Sequence, residues 1–146
     1  MNLLLVYHWF DGNDNLQDAF AVRLEVFCDE QGYSPDMEFD ETDRTARHIV
    51  AYVDGYAVAT GRLFNVDQDT IVFGRIAVRK AWRGQGVGAA IVKAMLAEAE
   101  IAGAAKAVLD AQCRAIGFYE TLGFTVTGEK HMDGHVVHQM MTRKLG

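Results

Sequence analysis

Residues 83–88 read Arg83-Gly84-Gln85-Gly86-Val87-Gly88 and stand between a β-rich segment and an amphipathic one. Glycine at every second position leaves the backbone N–H groups uncovered by side chains. A helix that begins at such a loop adds the positive end of its dipole. No Asp or Glu occurs in residues 74–97, so the helix start is free for an external anion. The segment therefore predicts a loop that holds a diphosphate.

Two alternatives to a diphosphate loop remain open. The glycines can form a plain turn between a strand and a helix, with the nearby arginines as a solvated face. The same letters also fit a dinucleotide fingerprint with Gly84, Gly86 and Ala89, followed by Asp110. A basic spacer between strand and loop, and only one crossover unit in the chain, argue against that nicotinamide alternative. Four of the fourteen basic residues precede the glycines: Arg75, Arg79, Lys80 and Arg83.

Length and composition bound the class of protein. The chain has 146 residues, half of them apolar and 23% charged, which predicts one globular domain over residues 1–146. A net charge of −6 argues against nucleic acid or a membrane surface as a main partner. With no signal-peptide pattern, we expect a cytoplasmic protein whose two cysteines are free thiols, and the spacing of His, Cys and Asp predicts no metal site. A homodimer is left open.

Apolar periodicity and turn residues predict alternating elements around the glycine loop. The expected strands are 3–9, 48–53, 56–64, 71–78, 106–111, 125–132 and 135–143. The expected helices are one with an apolar face of Leu16, Phe20, Leu24 and Phe27 that ends at Gly32, and two more over 87–102 and 115–122. A strand, helix, strand unit implies one parallel crossover in an otherwise antiparallel sheet. We therefore predict an α/β fold with a mixed sheet of six or seven strands flanked by helices.

Three segments carry a resemblance to a known family: Ile76-Ala77-Val78, Arg83-x-x-Gly86-x-Gly88, and residues 115–124 with the sequence AIGFYETLGF. In order and spacing they resemble the GNAT superfamily of acyl-CoA-dependent N-acetyltransferases. The N-terminal half is similar to the ElaA and YjcF group within that superfamily. It matches at Arg23, Val26-Phe27, Glu30-Gln31, Pro35, Glu38, Asp40 and Arg47-His48.

The resemblance implies a sheet splayed between its fourth and fifth strands, with acetyl-CoA as cosubstrate and a small-molecule or peptide amine as acceptor. It implies that the pantetheine arm pairs with Ile76, Ala77 and Val78. The residues implied at the diphosphate are Arg83, Gly84, Gln85, Gly86, Val87 and Gly88. Gln112 stands where many members have an asparagine that contacts the pantetheine arm. The fourth strand has no acid, so the family's glutamate base has no counterpart there.

Acyl transfer from a thioester to an amine needs a proton donor for the thiolate and a donor for the oxyanion. Tyr119 is the expected general acid, since an ordinary phenol pKa of about 10 is close to that of a thiol. The N–H groups near Ala77 and Val78 are candidates for the oxyanion. Glu30, His48 and His138 are candidates for the base or for substrate contacts, with structural hydrogen bonding as the alternative for each.

Five acids in residues 36–43 form a second notable feature. They can steer a cationic amine, but a solvated loop is the favoured interpretation. Two functions remain at this stage. One is an acetyl-CoA-dependent N-acetyltransferase in which an amine attacks directly, and the other is a module that binds or senses acyl-CoA without turnover.

Overall fold

A computed structural model describes residues 3–146 of the chain. The strands are β1 (Val6–Asp11), β2 (Arg47–Val53), β3 (Tyr56–Asn65), β4 (Thr70–Val78), β5 (Lys106–Gln112), β6 (Thr125–Val126), β7 (His131–Asp133) and β8 (Val136–Lys144). The α-helices are α1 (Gln17–Arg23), α2 (Pro35–Glu38), α3 (Val87–Ile101) and α4 (Ile116–Glu120). A π-helical segment (Leu24–Glu30) continues α1, and 3₁₀ turns cover Glu41–Arg44, Lys80–Trp82 and Cys113–Ala115.

Within residues 3–146 the eight strands form one sheet in the order β1-β2-β3-β4-β5-β8-β6, and β7 also pairs with β8. The β4–β5 pair is parallel, because α3 carries the chain across the sheet between these two strands. The remaining pairs are antiparallel. The predicted α/β fold with a mixed, mostly antiparallel sheet is confirmed.

The parallel pair opens towards its carboxyl end. Its paired residues run from Thr70 and Lys106 to Phe73 and Leu109, whereas β4 continues to Val78 and β5 to Gln112. The sheet therefore splays between its fourth and fifth strands, as expected. The cleft made by this opening lies beside the start of α3.

An apolar core packs against each face of the sheet. On one face α3 packs Ile91 and Met95 into a core with Phe73 and Leu109. The approach is close, since a Cβ built on Gly61 would lie 2.7 Å from the Sδ atom of Met95. On the other face α1 and the π-helical segment cover only part of the sheet, with a core of Ala19, Val22, Val26, Val50, Ala57 and Ala77.

The first helix buries a different face from the predicted one. Leu16 is buried as expected, but Leu24 is 41% exposed and the buried positions are Ala19, Val22 and Val26. Small and β-branched side chains allow the helix to approach the sheet, and the larger phenylalanines pack at its flanks. The helix ends before Gly32, whose φ of +83° is the expected left-handed conformation.

The strand count exceeds the predicted six or seven because one expected strand, 125–132, is divided. Thr125 pairs with Thr142, but His131 pairs with His138, so the register against β8 shifts by two residues in between. Two extra residues leave the ladder there, and β6 and β7 become separate strands. The first strand is also displaced, from the expected 3–9 to Val6–Asp11.

Candidate active site

A cavity of about 670 Å³ lies on the loop side of the splay. Its walls come from the end of β4, the glycine loop, the first turn of α3 and the segment after β5. Ile76, Ala77 and Val78 line it together with four residues of the loop and helix start: Arg83, Gly84, Gly86 and Gly88. The structure therefore brings most of the residues expected at the cofactor into one cavity. Val87 and Gln112 line it as well.

The loop has the backbone conformation that an anion site needs. Gly84 and Gly86 have φ values of +76° and +80°, a region that other residues rarely adopt. Gly86 caps α3 without a side-chain hydrogen bond, and the first turn carries no acid. The N–H groups of the first turn of a helix have no partner within the helix, so here they face outward unneutralised. Gln85 is exposed, and its amide donates to the carbonyl of Ala81 at 3.4 Å.

Arg83 is paired with an acid in the structure. Its guanidinium makes two hydrogen bonds to Glu30, at 2.5 and 2.7 Å, and its Nε donates to the carbonyl of Val78 at 2.9 Å. These bonds hold the pKa of Glu30 below its ordinary range and raise the pKa of Arg83. Glu30 thus lies on the cofactor side of the cleft as the partner of Arg83, which makes it a weak proton acceptor.

Gln112 also has protein partners. Its Nε2 donates to Oε1 of Gln31 at 2.7 Å, and Arg114 donates to its Oε1 at 2.9 Å. Gln31 follows the π-helical segment, while Gln112 ends β5, so this bond joins the two sides of the splay. A contact of Gln112 with the pantetheine arm would require this bond to rearrange or be shared.

Tyr119 lies on α4 at the innermost part of the cleft. Its ring packs edge-on against Phe118 and Phe124, with centroid separations of 5.1 and 6.0 Å. Burial raises the pKa of Tyr119 to about 12, above the ordinary value assumed from the sequence. The phenol therefore stays protonated across the neutral range, where it can donate a hydrogen bond or a proton but cannot act as a base.

A second cavity, of about 400 Å³, lies on the opposite side of the splay. Its apolar walls include Phe64, Phe73, Tyr33 and Met140. Five residues line both cavities and so mark the place where they meet: Gln31, Ile76, Gln112, Ala115 and Tyr119. A thioester bound on the loop side and a nucleophile in this second cavity would meet beside Tyr119. We name it the acceptor cavity.

His138 lines the acceptor cavity from β8, opposite Gln112 in the register. Its side chain is 7% exposed, and Nδ1 lies 3.0 Å from the carbonyl oxygen of Val136. A carbonyl can only accept, so Nδ1 carries the hydrogen and the neutral ring has its lone pair on Nε2. Nε2 lies 3.7 Å from Oδ2 of Asp133, which can stabilise a proton gained there.

A second histidine lies nearby. Nε2 of His131 is 2.8 Å from Oδ2 of Asp110, and the His131 and His138 rings are 6.3 Å apart. The hydrogen bond to Asp110 raises the pKa of His131. Asp110 lines the acceptor cavity, so this carboxylate faces any bound acceptor.

The five acids of residues 36–43 divide into two groups. Asp36, Asp40 and Glu41 are exposed, as expected for a solvated loop, whereas Glu38 and Asp43 are buried. Glu38, Asp40 and Asp43 join Arg23, Arg62 and Arg75 in a network of three carboxylates and three guanidiniums. Arg23 is completely buried and bonds Glu38 and Asp43 at 2.8 and 2.7 Å. Burial would raise the pKa of Asp43, but hydrogen bonds from Arg23 and Arg62 lower it. The expected solvation is therefore confirmed for three of the acids and wrong for Glu38 and Asp43.

His48 belongs to this network rather than to the cleft. Its ring is 1% exposed, and Nε2 lies 3.0 Å from the carbonyl oxygen of Asp43. Burial lowers its pKa, so the ring is neutral and structural. The structure thus separates the three base candidates: His138 in the acceptor cavity, Glu30 at the loop and His48 within the protein.

Three residues of the acceptor cavity were not assigned to the acceptor from the sequence. Asp110 and Asp133 line this cavity from β5 and from the β7–β8 hairpin, and Arg75 lines it from β4. Arg75 has a φ of +52° in an irregularity of the β3–β4 pairing, where two residues, Arg75 and Ile76, face Gly61.

The splayed sheet and the uncapped helix start are those of acyl-CoA-dependent acetyltransferases of the GNAT type. The model of the acetyltransferase (GNAT) domain family matches residues 15–145. The chain therefore belongs to the GNAT acetyltransferase family, and the resemblance to the ElaA and YjcF group is confirmed by the relatives that follow.

The N-acetyltransferase YjcF of Bacillus subtilis (strain 168) is 37% identical over 131 residues, which are 89% of this chain and 93% of YjcF. The crystal structure of Escherichia coli ElaA has a TM-score of 0.86 and 26% identity, covering 96% of this chain and 99% of that one. A GNAT acetyltransferase from Elizabethkingia anophelis, solved with acetyl-CoA bound, has a TM-score of 0.77 and 16% identity, covering 97% and 98%. At 16% identity, the similarity to the E. anophelis protein shows a shared fold alone.

Within residues 3–146, no helix is both long enough and apolar enough to cross a membrane. In the same range, no group of three His, Cys, Asp or Glu side chains comes together as metal ligands would.

Proposed function

We propose that the protein transfers an acetyl group from acetyl-CoA to a primary amine by direct attack of the amine on the thioester. The observation that carries this proposal is the meeting of two cavities at Tyr119 in the splay. One cavity has a backbone anion site and the other has a buried histidine, His138, and a two-substrate transfer needs a place for each substrate. Acetyl-CoA in the structure of the E. anophelis relative supports the choice of cosubstrate.

On the cofactor side, the N–H groups of the loop and of the first turn of α3 would hold the diphosphate. The pantetheine arm would lie along Ile76, Ala77 and Val78, where β4 runs on beyond its pairing with β5. N–H groups in this segment are then close to the thioester and can stabilise the oxyanion of the tetrahedral intermediate. Arg83 reaches the cofactor only by sharing or leaving Glu30.

On the acceptor side, Nε2 of His138 takes the proton that the amine loses as the C–N bond forms. The tetrahedral intermediate then breaks its C–S bond, and the thiolate receives a hydrogen bond and finally a proton from Tyr119. Since a pKa of about 12 lies above that of an ordinary thiol, donation of a hydrogen bond to sulfur precedes complete transfer. Solvent returns the proton from His138 to Tyr119, so the cycle balances.

The direct test measures thiol release from acetyl-CoA across a panel of primary amines, with the acetylated amine identified by mass spectrometry. Amine-dependent release supports the enzyme. Tight binding of acetyl-CoA with no release above the rate without amine would favour the alternative of a binding or sensing module. Binding of NAD without binding of CoA would contradict both.

The role of His138 has its own test. The pH profile of kcat/KM should show a rising limb that disappears in His138→Asn. His48→Asn is the matched control, because His48 is equally buried but lies outside the acceptor cavity. A limb that persists in His138→Asn would belong to the amine itself, and the enzyme would then work by positioning a neutral amine.

A further inference from the structure

Glu38 is the most buried carboxylate of the acceptor cavity, with 5% of its side chain exposed. Its Oε2 atom is shared by two guanidiniums, Nε of Arg23 at 2.8 Å and Nε of Arg75 at 3.0 Å. Arg23 donates its Nε–H to Oε2, whereas Arg75 donates its Nε–H to the main-chain carbonyl oxygen of Glu38 at 3.1 Å, so the contact of Arg75 with Oε2 is electrostatic. Arg23 is itself held by Asp43 at 2.7 Å. One oxygen of Glu38 is thus committed to structure.

The other oxygen, Oε1, has no hydrogen-bond partner among residues 3–146. It is not sealed in the protein either, because the one sealed side-chain atom without a partner in that range is Nε of Arg62. A carboxylate oxygen that is accessible and has no protein donor can accept a hydrogen bond from a ligand. Oε1 therefore presents a ready acceptor to the cavity.

The location of this oxygen suits the reacting end of the substrate. Arg75, which holds Glu38, directly precedes Ile76, and Ile76 lines both cavities at the splay. Glu38 thus lies on the wall of the acceptor cavity next to β4, while His138 lies on the wall formed by β8. Both residues therefore border the space that a bound amine would occupy.

We propose that Oε1 of Glu38 binds the amino group of the acceptor, a small amine with an apolar body that enters as an ammonium. The ammonium releases one proton to solvent before attack, and the neutral amine then loses its second proton to His138 as the C–N bond forms. This deepens the proposed function and rests on it. The network around Glu38 is balanced, with three guanidiniums and three carboxylates, so it adds no net repulsion. Asp110 and Asp133, on the far wall, offset the charge of the ammonium. The aromatic walls and a volume of about 400 Å³ suit a body of the size of a phenyl ring.

The test replaces Oε1 of Glu38, a hydrogen-bond acceptor, by a hydrogen-bond donor. Glu38→Gln keeps the length of the side chain, and its side-chain carbonyl oxygen can still accept from Nε of Arg23. Its NH₂ group then faces the cavity and repels another donor. The probes are benzylamine, which as an ammonium only donates, and benzyl alcohol, which donates or accepts. Their binding to the CoA-loaded protein is measured by calorimetry, and the KM of benzylamine is measured beside it.

We expect benzylamine to bind about 10- to 100-fold more weakly to Glu38→Gln, with benzyl alcohol and acetyl-CoA nearly unchanged. Asp43→Asn is the matched control, since it weakens the same network but lies outside the acceptor cavity. It should leave the ratio of amine to alcohol affinity as in the wild type. An equal loss for both probes, or the same ratio change in Asp43→Asn, would overturn the assignment.

The wild type separates this assignment from the proposed function. If benzylamine binds through Glu38 but no amine in the panel releases thiol, the transferase proposal fails and the binding site stands. If thiol is released but Glu38→Gln keeps the wild-type ratio and KM, the transferase stands and the assignment of Glu38 fails. If no amine binds the CoA-loaded wild type at all, the assignment also fails.

Discussion

The two sides of the cleft are built on different principles. The cofactor side uses backbone groups from one short stretch, the glycine loop and the start of α3, and its polar side chains meet at the surface in the Arg83–Glu30 pair. The acceptor side uses side chains from separate segments, and buried ion pairs hold them in place. Recognition of a constant cofactor can be local, whereas recognition of a particular amine requires side chains brought from distant parts of the chain.

The first test of this contrast removes Arg23, the buried guanidinium that pairs with Glu38 and Asp43. Arg23→Leu leaves the carboxylates of Glu38 and Asp43 buried without their main partner, and we expect a loss of roughly 3–5 kcal/mol in unfolding free energy. Urea denaturation measures it. Arg83→Leu removes an ion pair of which both partners are over 30% exposed, so it should cost less than about 1 kcal/mol.

Equal losses of unfolding free energy in these two variants would contradict the distinction between an acceptor side held by buried ion pairs and a cofactor side with an ion pair at the surface. A small loss in Arg23→Leu alone would mean that the apolar replacement packs as well as the ion pairs do, as has been found for some buried networks. In that event acetyl-CoA binding should still be intact, because the cofactor side does not depend on Arg23.

The most direct test of the cofactor side is a substitution at Gly86. A valine there meets a φ of +80° and places a branched side chain over the uncapped first turn, so we expect acetyl-CoA affinity to fall more than a hundredfold in calorimetry. Gly103→Val is the matched control, since Gly103 has a φ of +81° at the other end of the same helix. It carries a similar strain and should bind normally; comparable weakening in both would indicate lost folding rather than lost phosphate contacts.

The same contrast explains how far the sequence predicts the structure. The glycine loop, α3 and the crossover are local patterns, and all were predicted close to their observed bounds. The neighbouring strands expected at 48–53 and 56–64 were predicted equally well, each within one residue of β2 and β3. The division of residues 125–132 into two strands was not, because a two-residue register shift depends on pairing with β8 and leaves no mark in the alternation of apolar residues.

Prediction of the acceptor side failed for a similar reason. Glu38 and Asp43 are buried within a run of acids that looks like a solvated loop in sequence, because their partners Arg23, Arg62 and Arg75 lie far away along the chain. His48 and His138 were equal candidates by residue type. The topology separates them, because β2 buries one ring against the network and β8 directs the other into the cavity.

Tyr119 lies where the two sides meet, and Tyr119→Phe should lower kcat about a hundredfold while acetyl-CoA affinity stays nearly intact. Stopped-flow detection of thiol and calorimetry give the two quantities. Tyr52→Phe is the matched control, since it removes a phenol that bonds Asp18 at 2.7 Å. A kcat within twofold of wild type in Tyr119→Phe would show that water or another group protonates the thiolate.

The smallest effect concerns two histidines whose pKa values shift in opposite directions. Burial lowers the pKa of His48, so its contribution to stability is present above the ordinary pKa of about 6.5 and is lost as pH falls below it. The hydrogen bond to Asp110 raises the pKa of His131, so its contribution is present at low pH and is lost as pH rises through the raised value. Because His131 is exposed, its effect is the weaker of the two.

Melting temperatures between pH 7 and pH 5 test these signs. The wild type should lose stability towards pH 5, by a few degrees at most, and His48→Gln should flatten this decline. His131→Gln should steepen it slightly, because the protein then lacks the group that gains stability on protonation. The carboxylates titrate alike in all three proteins, so the differences between the curves report the histidines alone. If His48→Gln showed the same slope as the wild type, the decline would come from the carboxylate network, and His48 would be a neutral spacer in it.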